Sequence, residues 1–129
     1  MKYYMSKIVS GKSFQEVREK VEEELKKEGF GVMTEIDFSA TMKKKLDKEY
    51  PPHLILGACN PVYADKVVSV EPTISTLLPC NVTLRQINEN EIEVATIAPN
   101  VAMSVVNNPS LEQHAQEVQE KLQSVLNQI

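Results

Sequence analysis

Val82–Ile97 reads VTLRQINENEIEVATI. Two runs rich in β-branched residues, 82–87 and 92–97, flank the polar stretch Asn88-Glu89-Asn90-Glu91, the pattern of an antiparallel hairpin. Strands joined by so short a turn cannot be parallel neighbours, because a parallel pair needs a crossover of a dozen or more residues. The hairpin is therefore an antiparallel pair, which fits a mainly antiparallel sheet, and the rest of the chain has to be fitted around it.

On the C-terminal side, Ser110 with Gln113 predicts a capping box. Leu111, Ala115, Val118, Leu122, Val125 and Ile129 then form one long apolar stripe. On the N-terminal side, Tyr3–Val9 predicts a first strand that stops at Ser10-Gly11. Ser13 and Glu16 cap a helix whose stripe is Phe14, Val17, Val21 and Leu25, and Gly29 supplies its left-handed stop.

Val32–Phe38 alternates, with Val32, Thr34, Ile36 and Phe38 on one face and Met33, Glu35 and Asp37 on the other. Met42, Leu46 and Tyr50 predict a short helix around Lys43-Lys44-Lys45, ended by Pro51-Pro52. His53–Ala58, with Leu54-Ile55-Leu56 at its centre, predicts a strand buried on both faces. Asn60 and Pro61 then open a helix that points Ala64, Val67 and Val68 inward and closes at Pro72. The predicted order is β-α-β-α-β-α-β-β-α, an α+β fold with two layers, the two long helices covering one face of a five-stranded sheet.

With 129 residues the chain fits a single domain, 1–129, and 42% hydrophobic with 25% charged residues is the composition of a folding sequence. A formal charge of −4 repels phosphate backbones, so no nucleic-acid partner is expected. No run of about 20 apolar residues offers a membrane span, and MKYYMSKIVSGK lacks a signal-peptide core, so the expected location is cytoplasmic.

Signatures of phosphate loops, dinucleotide folds, zinc proteases and serine hydrolases are absent, and no cofactor is implied. What chemistry there is lies in position. The only cysteines, Cys59 and Cys80, are each followed by asparagine and stand close to a proline. Cys59 sits where a buried strand gives way to the Asn60-Pro61 helix start, whose free N–H groups suit an anion or a carbonyl oxygen. Three readings compete for the cysteines: buried small hydrophobes, a thiol activated at a helix N-terminus, or a disulfide or metal pair. Two cysteines at this spacing match no zinc motif, and no metal is assigned. Glu35 and Asp37 share a strand face about 7 Å apart. They are either solvated partners of Lys43, Lys44 or Lys45, or, with Lys44, the polar part of a pocket. His53 and His114 are read as structural or solvent-facing histidines.

The ordered set KKEGFGVMTEIDF (26–38), LILGACNPVYA (54–64), LLPCNV (77–82) and IAPNVAM (97–103) resembles the family catalogued as domain-of-unknown-function family 302. The resemblance runs from about Ile8 to the last helix. It is strongest at Glu35, Asp37, Lys44, Cys59, Asn60, Pro61, Pro79 and Cys80, and it implies a candidate site there. It also implies a two-layer α+β domain, related in topology to half of the TATA-box-binding protein, and a homodimer. It implies no activity.

Two functions that use the candidate site follow as expectations, beside a third in which the domain is purely structural and its dimer surface is its function. The first is a homodimeric binding or sensing module for a small anionic or carbonyl ligand at Cys59-Asn60-Pro61, with Cys80 nearby and Glu35, Asp37 and Lys44 orienting the ligand. The second is a thiol-dependent enzyme using Cys59 or Cys80 as nucleophile or redox centre.

Overall fold

A computed structural model of the chain describes residues 2–129. The elements are β1 (Tyr4–Ser10), α1 (Phe14–Lys27), β2 (Gly31–Asp37), α2 (Phe38–Leu46), β3 (His53–Cys59), α3 (Pro61–Val70), β4 (Cys80–Gln86), β5 (Glu91–Ile97), the single turn α4 (Pro99–Ala102) and α5 (Pro109–Asn127). Short 3-10 segments at Pro72–Leu77 and Met103–Val106 complete the chain. One five-stranded sheet runs β1-β5-β4-β3-β2, every pair antiparallel, with the 82–97 hairpin contributing its centre.

The core lies on one face of that sheet. Cys80, Val82 and Leu84 of β4 alternate with outward residues, as do Ile92, Val94 and Thr96 of β5, so each strand buries every second side chain. Val17, Val21 and Leu25 of α1 and Val118, Leu122, Val125 and Leu126 of α5 join this set in a single cluster, which puts both long helices on the same face. Fully burying each such aliphatic side chain contributes about 1.5–3 kcal/mol. The Ser13/Glu16 capping box is formed, and Gly29 (φ 87°) provides the left-handed exit from α1. A smaller cluster of Val67, Ile74 and Leu111 joins α3 to the start of α5.

Several local expectations are corrected. The alternation in β2 is broken by a bulge between Val32 and Thr34. Val32 faces the helices opposite Ala58, whereas Thr34 and Ile36 turn to the open face opposite Gly57 and Ile55. The inserted residue thus puts Glu35 and Asp37, opposite Leu56 and Leu54, on the helix-covered side with Val32. The strand stops at Asp37, and Phe38 already belongs to α2.

α2 does not reach Pro51. It ends at Leu46 because Asp47 adopts a left-handed conformation (φ 53°), donates its N–H to the Lys43 carbonyl at 3.0 Å, and pairs its carboxylate with Lys43 at 2.7 Å. The final helix is capped by Asn108, whose Oδ1 accepts from the Ser110 N–H at 3.0 Å, with Pro109 in the first turn. A Pro at that position leaves Ser110 inside the helix, so the expected Ser110/Gln113 box gives way to an asparagine cap.

Candidate functional site

The β3–β4 ladder pairs Ala58 with Cys80, and Cys59 lies one residue beyond that pair. The two thiol segments therefore meet at one end of the sheet, where the chain leaves β3 for α3 and enters β4 from Leu78 and Pro79. Cys59, Asn60 and Cys80 line a crevice there, floored by Phe30 and Ala58 and walled by Tyr63 and Val67 of α3, Met103, and His114 and Val118 of α5. Its interior volume is about 30 Å³, enough to hold a water molecule. No lysine or arginine borders it.

Both cysteines are free thiols, Cys59 half-buried and Cys80 buried. Burial, and then the neighbouring Cys59, push the Cys80 thiol up to about 11. At neutral pH Cys80 is therefore a small neutral hydrophobe, and any nucleophilic work falls to Cys59.

Asn60 does not cap α3, contrary to the expectation from sequence. Its Nδ2 instead donates to the Glu28 carbonyl at 3.2 Å, tying the end of α1 to the start of α3. Gly29 makes that approach possible, since a Cβ there would stand 3.1 Å from Asn60 Nδ2. Pro61 occupies the exposed first position of α3, outside the crevice lining.

The acidic and basic candidates lie elsewhere. Asp37 pairs with Leu54, five residues from Cys59 along β3, a separation of about 17 Å at 3.3 Å per residue. Its carboxylate caps α2, accepting from the Ala40 N–H at 2.9 Å and the Ser39 hydroxyl at 2.7 Å, and these two bonds hold its pKa below the usual range. Glu35 accepts two bonds from the Arg18 guanidinium of α1. Lys44 projects from the exposed side of α2. The structure thus brings together Cys59, Asn60 and Cys80, and sets Asp37 toward the other end of the β2–β3 pair, Glu35 opposite Leu56 at its middle, and Lys44 on α2.

Tyr63 and Met103, not singled out from the sequence, border the crevice, as does His114, which the sequence reading took as structural or solvent-facing. His114 Nδ1 is buried without a hydrogen-bond partner, the nearest carboxylate being Glu117 at 3.9 Å. The signal for it existed: Leu111, His114, Ala115 and Val118 follow helical spacing, so His114 flanks the buried stripe of α5.

The family model described as domain of unknown function DUF302 matches residues 5–129. The chain belongs to the DUF302 family. No curated protein matches it. The crystal structure of an uncharacterized conserved DUF302 protein from Bacillus stearothermophilus is similar over 98% of this chain and 97% of that one, with a TM-score of 0.90 at 27% identity. A DUF302 domain thus accounts for essentially the whole chain, and among the described residues no helix is long and apolar enough to cross a membrane.

Proposed function

We propose that this DUF302 domain is a binding or sensing module whose ligand enters the crevice between the two cysteine segments. One observation carries the proposal: Cys59 and Asn60, and Cys80 from a separate segment, converge on a small apolar hollow that His114 also borders. With no cation on the lining, an anion entering would lose its hydration without replacement, so of the two expected ligand classes the carbonyl is favoured. On that border the His114 ring would offer an N–H to a carbonyl oxygen. The volume admits only the leading atom, and the remainder of the ligand lies at the mouth beside Tyr63. Thiol chemistry at Cys59 is the alternative, supported by its partial exposure beside an inert Cys80. Two free thiols this close suit a reducing, cytoplasmic setting.

The test is thermal unfolding with butanone and other small ketones, set against phosphate and sulfate, on the wild type and on Ala64→Leu, which narrows the crevice from its half-exposed rim. A ketone should raise the midpoint of the wild type and leave the variant unmoved. Equal stabilisation of both proteins, or stabilisation by the anions alone, would remove the reading.

The module works as a homodimer through the free edge of β1. That edge is seven residues long and regular, with Tyr3 and Ile8 exposed, whereas the bulge disrupts the opposite edge at β2. Antiparallel pairing of two β1 strands about a two-fold axis would satisfy both edges at once. Sedimentation should give a dimer for the wild type and a monomer for Ser6→Pro; a monomeric wild type at micromolar concentration would exclude it.

A further inference from the structure

The face of the sheet turned away from α1 and α5 carries its own chemistry. Register places His53, Arg85 and Glu93 side by side across β3, β4 and β5, and the next outward row is Ile55, Thr83, Ala95 and Ser6. Thr83 and Ala95 are short, while Arg85 and His53 on one side and Tyr3 and Tyr4 on the other stand higher. A hollow of about 450 Å³ lies between them, within the range of small-molecule sites. It opens on the opposite side of the sheet from the thiol crevice.

The charge in this hollow is incompletely matched. Arg85 Nη2 donates to Glu93 Oε1 at 3.1 Å, and among the described residues its Nε and Nη1 donate to nothing. Glu93 therefore uses one donor of a five-donor fork and leaves the guanidinium able to grip a second carboxylate. His53 stands beside it, and burial followed by the Arg85 charge pushes its pKa down, so at neutral pH it adds no charge of its own and can still hydrogen-bond. The short Thr83 and Ala95, with Asn81 and Ile97 beyond them and the tyrosine rings at the end, give a shallow floor on which a planar group can lie.

We propose that this open face is a second binding site, specific for a planar aromatic carboxylate. Its carboxylate engages the free donors of Arg85, and its ring lies over Thr83 and Ala95 against Tyr4. The charge on Arg85 selects the anion, and the shallow floor selects the plane.

Benzoate and indole-3-acetate, with benzamide as the neutral counterpart of benzoate, are the probes, and amide chemical shifts of the full chain at fixed pH are the readout. Saturable shifts should centre on Thr83, Arg85 and Ala95 and leave the Cys59 and Ala115 amides unmoved, with benzamide at least about tenfold weaker. Arg85→Met should weaken benzoate by a similar factor and Arg85→Lys by less, since lysine keeps the charge and loses the fork. Ala95→Phe should abolish binding by filling the floor, its fold checked by the dispersion of the same spectrum. Shifts that gather at the crevice, an unchanged affinity in Arg85→Met, benzamide binding as well as benzoate, or no saturation at millimolar probe would each overturn the assignment. So would Thr83 and Ala95 shifts that follow protein concentration and not probe, since a second copy would then cover the face.

Discussion

Gly57 is a strand residue with no room for a side chain, and replacing it with alanine tests the packing that supports both cysteine segments. A Cβ built at Gly57 collides with Thr34 Oγ1 across the β2–β3 pair and stands 2.8 Å from Pro79 Cγ on the other side. The backbone cannot yield freely, because Gly57 is held in ladders with Thr34 and Asn81 simultaneously. Overpacking of this kind costs about 1–3 kcal/mol. For a domain of this size that lowers the unfolding midpoint by about 3–10 °C.

The structure also says which second change should rescue it. Thr34 Cβ is 3.6 Å from the added methyl, an ordinary contact, so Thr34→Ala removes the colliding hydroxyl and leaves only Pro79 to adjust. Thr34→Val puts a methyl where the hydroxyl was and should rescue nothing. Urea unfolding of the wild type, the single variants and both doubles, with m-values compared to establish that compactness is unchanged, gives the coupling energies. A Gly57→Ala protein as stable as wild type would refute the reasoning. Equal rescue by Thr34→Val and Thr34→Ala would do so too, because the hydroxyl would then not be the obstruction.

Two further outcomes follow from the site residues. Asp37→Ala removes the cap of α2 and should cost about 1 kcal/mol, whereas Asp37→Asn retains a capping oxygen and should cost less. Because the folded pKa of Asp37 is depressed, its carboxylate's contribution is complete above the unfolded value of about 3.9 and is lost as pH falls through the folded pKa. The stability gap between wild type and Asp37→Asn should therefore close on acidification in urea melts, and a gap that widens would show the sign to be wrong. Thiol titration with a disulfide reagent at pH 8 should modify Cys59 well before Cys80; Cys59→Ser should leave a thiol that reacts only in denaturant, and rapid labelling of that variant would contradict the buried, raised-pKa state of Cys80.

The long helices and the hairpin were legible because their signals are local and repeated: an apolar stripe over several turns, a capping box, and alternation on either side of a polar turn. Glu35 and Asp37 show where that kind of reading stops. Alternation assigns them correctly to a common face, but a bulge is one inserted residue with no characteristic side chain, so the face they share could not be related to Val32. Asn60 fails for a different reason. Its type and position fit a helix cap, yet tertiary packing brings the Glu28 carbonyl within reach and takes the amide. The meeting of Cys59 with Cys80 follows from β3 pairing with β4, a long-range choice that the two Asn-flanked cysteines suggest and only the register fixes.

β3 and β4 link the crevice to the open face through alternate residues of the same strands. Ala58, Cys80 and Val82 face the helices, whereas Gly57, Asn81 and Thr83 face outward, and Gly57 is pinned between Thr34 and Pro79. A ligand in the crevice that displaced the β3 end would have to move Gly57 against contacts that already exclude a methyl group. The strand resists that motion, so occupancy of one face should leave affinity at the other unchanged unless Thr34 is shortened. Thr34→Ala supplies the slack, and measuring benzoate affinity in that variant with and without butanone separates a rigid sheet from a coupled one. A change of affinity already present in the wild type would mean that β3 is softer than its packing against Thr34 and Pro79 implies.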